Sequence, residues 1–143
     1  EDCKLEELRE IKRLIARLNL EEWVLMLGFV STNDLIAIYN LADLYIQPSF
    51  YEGFGLPVLE AMSCGCPVLC SNQASLPEVG GQAVNYFDPY EKNDLEKKLS
   101  ALILDEEKLI ELGVKGLKQA KKFSWRKTVL ETKRVYQYVN SGD

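Results

Sequence analysis

Apolar residues near the start of the chain fall at helical spacing: Leu5, Leu8, Ile11, Leu14, Ile15 and Leu18, with Lys4, Glu7, Arg9, Lys12 and Arg13 between them. The pattern predicts an amphipathic helix over residues 4–18. The period then changes. Trp23-Val24-Leu25-Met26-Leu27 is continuously apolar and stops at Gly28, which predicts a buried strand. A helix through residues 34–39 follows, with cap candidates from Ser31 to Asn33, and a second strand at Leu44-Tyr45-Ile46 is stopped by Pro48. Pro57 in its first turn and Gly65 at its end bracket the next helix. Pro67 to Cys70 and Ala83 to Phe87 read as third and fourth strands. The rest of the chain is helical in period over about residues 93–104, 106–122 and 125–139, with Ser124 as N-cap of the last helix.

Strands alternating with helices predict an α/β fold, a parallel sheet with right-handed crossovers. Sheets of this kind bind ligands beyond the carboxyl ends of their strands. The glycines fall there: Gly28 after the first strand, Gly53 and Gly55 after the second. No repeat, low-complexity tract or linker interrupts the chain, so residues 1–143 read as one domain.

Composition removes several classes of function. Twenty-two acidic against 17 basic residues, a net charge of −5, argue against nucleic acid as the main partner. The chain has no histidine, which excludes Ser-His and Cys-His nucleophile pairs and His-ligated metals. Cys64, Cys66 and Cys70 crowd one apolar stretch while Cys3 is remote. They read as ordinary thiols of a reducing compartment, the cytoplasm, with no metal site expected. No apolar run reaches the ~18 residues of a membrane span.

The chemistry concentrates between residues 48 and 62, Pro-Ser-Phe-Tyr-Glu-Gly-Phe-Gly-Leu-Pro-Val-Leu-Glu-Ala-Met. A strand ends, a loop with Gly53 and Gly55 follows, and a helix begins near Leu56. The first amides of a helix lack internal partners and carry positive partial charge, and glycines let an anion approach them. The site therefore suits a phosphate or diphosphate. Glu60 has Val58, Leu59, Ala61 and Met62 around it, so it is expected to be partly buried, facing a cavity where it accepts hydrogen bonds from a ribose diol. Glu52, across the glycines, is placed to bind hydroxyls of a sugar on the diphosphate.

Glu52 and Glu60 bracket Gly-Phe-Gly-Leu-Pro-Val-Leu, a spacing that resembles the signature of the group 1 glycosyltransferases. Further segments resemble that family in order: Gly28-Phe29-Val30, then residues 42–49, residues 61–68, Leu76-Pro77-Glu78-Val79, Asp88-Pro89 and Phe123-Ser124-Trp125. The resemblance covers the chain from about Trp23 onward. It implies a Rossmann-like, three-layer parallel sheet flanked by helices, the C-terminal half of a GT-B fold truncated at its N-terminus. It also implies a retaining hexosyltransferase acting on a nucleotide diphosphate sugar, with no cofactor or metal. By position, backbone around Phe29 and Val30 would contact the base and Glu60 would hold the ribose. Amides of Gly53, Phe54, Gly55 and Leu56 would face diphosphate and sugar, and Glu52 would be the catalytic-site residue touching the sugar.

The family pattern begins with strands and an Arg/Lys pair that this chain lacks, and a separate N-terminal domain holds the acceptor. From Leu18 to Glu91 there is no Lys or Arg, while Glu21, Glu22, Asp34, Asp43, Glu52, Glu60, Glu78, Asp88 and Glu91 are acidic. Stabilising a departing diphosphate relies on positioned positive charge. The isolated chain is therefore expected to bind a nucleotide sugar weakly and to transfer nothing. Basic residues gather late, at Lys115, Lys118, Lys121, Lys122, Arg126, Lys127, Lys133 and Arg134. They read as a solvated helical face or, alternatively, as peripheral contact with an anionic membrane on its cytoplasmic side. Two other functions fit the pattern: a non-catalytic nucleotide or nucleotide-sugar binding module on a flavodoxin-like sheet, and a scaffold domain. A scaffold has no use for acids at 52 and 60.

Overall fold

The computed structural model describes residues 2–141, with side chains from residue 6 onward; Cys3 and Leu5 therefore lie outside the described side chains. It divides into two compact units, residues 1–32 and 33–143. The first unit holds α1 (Asp2–Arg17), which ends in a turn at Asn19, a residue with φ 53°. Beyond that turn the expected strand does not form: residues 24–28 have no regular structure, and Leu25 is 81% and Phe29 97% exposed. An apolar run becomes a strand only when a ladder partner takes its backbone N–H and C=O groups, and hydrophobicity supplies no such partner.

The second unit contains α2 (Thr32–Leu41), β1 (Tyr45–Gln47), α3 (Leu56–Ser63), β2 (Val68–Ser71), α4 (Leu76–Gly80), β3 (Asn85–Phe87), α5 (Asp94–Leu102), α6 (Glu106–Ala120) and α7 (Trp125–Ser141). Its three strands pair in parallel in the order β1-β2-β3, with Gln47 opposite Cys70 and Ser71 opposite Phe87. α4, a single turn and a half, was not predicted; Pro77 in its first turn and Gly81 after its last residue are the signals that mark it.

β2 is buried along its whole length and feeds a core on each face of the sheet. Val68 and Cys70 join Tyr39, Val58, Ala61, Met62, Leu76 and Val79 on one side. Leu69 joins Phe87, Leu102 and Leu112 on the other. Alternation along a strand sends neighbours to opposite faces, so a continuous apolar run is what a strand covered on both sides requires. α3 and α6 cross closely: a Cβ on Gly113 would lie 2.6 Å from the Gly65 carbonyl oxygen. α3 ends as expected, Gly65 adopting φ 74° and donating to Met62 while Cys66 donates to Ala61, a Schellman closure. Ser124 caps α7 by accepting from the Lys127 amide at 3.2 Å.

Candidate functional site

The carboxyl ends of the three strands open onto loops 48–55, 72–75 and 88–93, and the first of these loops touches the other two. Ser75 Oγ donates to the Glu52 carbonyl at 2.9 Å, joining the loops after β1 and β2. The Phe50 and Tyr90 rings sit 5.4 Å apart, joining the loops after β1 and β3. The loop after β1 is therefore braced from both sides while Gly53, Phe54 and Tyr51 stay exposed.

Tyr45 and Gln47 are two apart on β1 and share a face; Ile46 between them goes to the opposite core. Pro48 then ends the strand, and the chain bends at Phe50 before reaching Glu52. The Tyr45 hydroxyl donates to Gln47 Oε1. Gln47 Nε2 donates to Ser49 Oγ at 2.6 Å and to Glu52 Oε1 at 2.7 Å, and Ser49 Oγ donates to the same Glu52 oxygen at 2.8 Å. Every proton in this chain has an acceptor. Burial, then Tyr39, then the carboxylates of Glu52 and Glu60 push the Tyr45 phenol up, so it remains a neutral donor. Glu60 also raises Tyr39, second to burial. The two acids thus act on one pair of tyrosines, whose rings meet edge-to-face at 5.4 Å.

Glu60 departs from expectation. It is exposed, not partly buried. The buried residues of α3 are Val58, Ala61 and Met62, positions i, i+3 and i+4, which form one stripe; Glu60 lies across the helix from that stripe with Leu56 and Ser63. A sequence rich in apolar residues on both sides of an acid does not show which arc meets the core. The two glycines also divide. A Cβ on Gly53 would meet nothing within 4 Å, whereas Gly55 is buried with φ +94° and a Cβ there would lie 2.7 Å from Leu76 Cδ2. Gly53 is thus the open approach to the backbone, and Gly55 serves the turn and its packing. The amides of Gly53, Phe54, Gly55 and Leu56 donate to no acceptor among the described residues, and α3 begins without a side-chain cap. They remain available to an anion.

Phe54 turns the other way. Its ring meets Phe123 edge-to-face at 5.9 Å and borders a groove of about 510 Å³ together with Leu59, Glu78, Lys122, Trp125 and Lys127. Lysines 122 and 127 therefore reach the flank of this loop from about seventy residues away in sequence. Nothing local in the sequence signals that approach. Phe29 and Val30 belong to the first unit, Phe29 fully exposed and Val30 half-buried. Among the described residues, no group of three His, Cys, Asp or Glu could hold a metal ion, and no helix is long and apolar enough to cross a membrane.

The sequence model of the family described as glycosyl transferases group 1 matches residues 4–119. The chain belongs to the group 1 glycosyltransferases. Among relatives of this family, the O-antigen chain mannosyltransferase B of Escherichia coli is 42% identical over 125 residues, covering 87% of this chain and 33% of that protein. The serotype-specific mannosyltransferase WbdA of Escherichia coli is 44% identical over 124 residues, covering 86% of this chain and 15% of its own length. The chain thus spans a third or less of these curated relatives. Among solved glycosyltransferase structures, sucrose-phosphate synthase from Thermosynechococcus elongatus superposes with a TM-score of 0.84 at 27% identity, over 96% of this chain and 35% of that one. Anabaena HepE in complex with UDP-glucose gives 0.79 at 25% identity, over 96% and 37%. The α/β architecture is that of the C-terminal domain of the GT-B glycosyltransferases.

Proposed function

We propose that this chain is the donor-binding part of a retaining glycosyltransferase that moves a hexose, in the first instance mannose, from a nucleoside diphosphate sugar to an acceptor. One observation carries the reading: a carboxylate held by Gln47 and Ser49, four undonated amides and a second carboxylate one turn into α3 line the carboxyl end of a parallel sheet. The amides receive the diphosphate, Glu60 accepts from the ribose diol, Glu52 accepts from sugar hydroxyls, and backbone near Phe29 and Val30 meets the base. Exposure of Glu60 is compatible with this role, because a ribose must reach it from solvent. The two mannosyltransferase relatives favour a mannose donor.

In this reading the acceptor hydroxyl oxygen bonds to the anomeric carbon as the bond to the diphosphate breaks, and a diphosphate oxygen takes the hydroxyl proton. No histidine, metal or resident cofactor of this chain takes part. Residues outside the chain supply the acceptor site and the main cations for the leaving group, and the chain alone does not transfer. Location on the cytoplasmic side, with the basic end of the chain against an anionic membrane, belongs to the same proposal.

Calorimetry against a panel of nucleoside diphosphate hexoses tests it. Weak binding of one of them, unchanged by a metal chelator and abolished in Glu60→Ala, is the expected result; unchanged affinity in Glu60→Ala rejects the ribose role. The anomeric coupling in the NMR spectrum of the product formed by the complete enzyme tests retention. The stretch from residue 18 to 91 without a cation favours a second reading, a binding module that never transfers. Sugar transfer by the complete protein in a radiolabel assay separates the two.

A further inference from the structure

Glu52 has a defined orientation before any ligand arrives. Both donors that reach its side chain, Gln47 Nε2 and Ser49 Oγ, converge on Oε1, at 2.7 and 2.8 Å; Oε2 has no hydrogen-bond partner among the described residues. An ionised carboxylate only accepts, so the Gln47 amide must present nitrogen to it. The amide oxygen then faces the Tyr45 hydroxyl, which donates to it and is kept protonated by burial and nearby negative charge. Tyr45 is fixed in turn by its half-buried place against the core and by the Tyr39 ring. The flip state of one amide is thus decided at both ends.

We propose that Gln47 is a positioning residue for the donor sugar: locked by Tyr45 and Ser49, it occupies Oε1 of Glu52 and leaves Oε2 as the acceptor for the hydroxyls of a bound hexose. The inference rests on the reading of Glu52 as the sugar-contacting acid. A free carboxylate would rotate and would lose that freedom on binding; one tied through a single oxygen is ready beforehand. Gln47 acts through Glu52 and does not itself touch the ligand.

The test uses the chain itself and ligand-observed NMR titration with UDP-glucose against UDP, and GDP-mannose against GDP. Gln47→Glu keeps size and the acceptor for Tyr45, yet sets an oxyanion where the amide N–H stood. It is expected to weaken the preferred nucleotide sugar about tenfold while leaving the plain nucleotide unchanged. Glu52→Gln should do the same, and the double variant should bind no more weakly than Glu52→Gln alone. Wild-type affinity in Gln47→Glu overturns the inference. So does equal weakening of nucleotide and nucleotide sugar, which marks a merely structural role, and so does an additive loss in the double variant, which marks direct contact with the ligand. Should Gln47→Glu fail to fold, Ser49→Ala removes the second donor and is held to the same outcomes. Loss of effect in Glu52→Gln alone, with sugar nucleotide binding intact, overturns the role of Glu52. Absence of binding by any nucleotide to the unaltered chain overturns the nucleotide-sugar reading.

Discussion

At residue scale, Gly53 and Gly55 sit two positions apart with opposite jobs. Gly55 at φ +94° has no room for a Cβ against Leu76, so Gly55→Ala is expected to cost ~1–3 kcal/mol, read as a lower urea midpoint. Gly53→Ala meets nothing and should leave that midpoint within ~0.5 kcal/mol while weakening nucleotide-sugar binding, because the new methyl stands on the approach to the amides. The thiols divide in the same manner. Burial pushes Cys70 up to about 12 and raises Cys66, whereas Cys64 is half-buried. Iodoacetamide near pH ~8 should therefore label Cys64 in the folded chain and spare Cys66 and Cys70, and peptide mass spectrometry reads the pattern. Both contrasts depend on which neighbour folds against a residue. Sequence shows a Gly-x-Gly or a Cys-x-Cys and leaves the two members equivalent.

At element scale, the ends of the helices were legible because their signals are local. Pro57, Gly65 and Ser124 act on backbone groups within four residues of themselves, and each sits where its cap chemistry predicts. α6 also carries a charge arrangement readable from spacing: Glu111 accepts from Lys108 at 2.7 Å and from Lys115, three and four residues away. Those two hydrogen bonds hold its carboxyl down to about 2 from the ordinary 4.5. A depressed carboxyl contributes above its unfolded pKa and the contribution is lost as pH falls through the folded one. Acidification from 4.5 toward 2 should accordingly reduce helical ellipticity at low salt, and about 0.5 M salt should flatten the change since the group is exposed to solvent. The Trp23–Leu27 run failed as a strand, and Glu60 failed as a buried acid, for one shared reason. A strand needs a partner and a helix face needs a core, and neither is specified within the segment itself.

At the scale of the whole molecule, α7 borders the packed unit at the Phe54 groove through Trp125 and Lys127 but buries nothing against it. None of its residues is buried, and neither core cluster includes one; Trp125 is 75% exposed, and Val129, Val135, Tyr136 and Val139 are exposed as well. Removing residues 125–143 should therefore change the stability of the remaining fold by less than about 1 kcal/mol in urea unfolding, and should lower any concentration-dependent association seen by light scattering. Apart from α4, the order of helices and strands in the second unit, the parallel sheet and the family itself were written in the chain, because hydrophobic period, cap residues and the Glu52-to-Glu60 spacing are properties of contiguous sequence. Which arc of α3 meets the core, which glycine yields to Leu76, how Tyr45 and Gln47 take hold of Glu52, and that Lys122 and Lys127 come to border the Phe54 groove were decided only by the folded arrangement. Each depends on contacts between segments distant in sequence or on the direction a side chain takes once its neighbours are fixed, and a linear pattern carries neither.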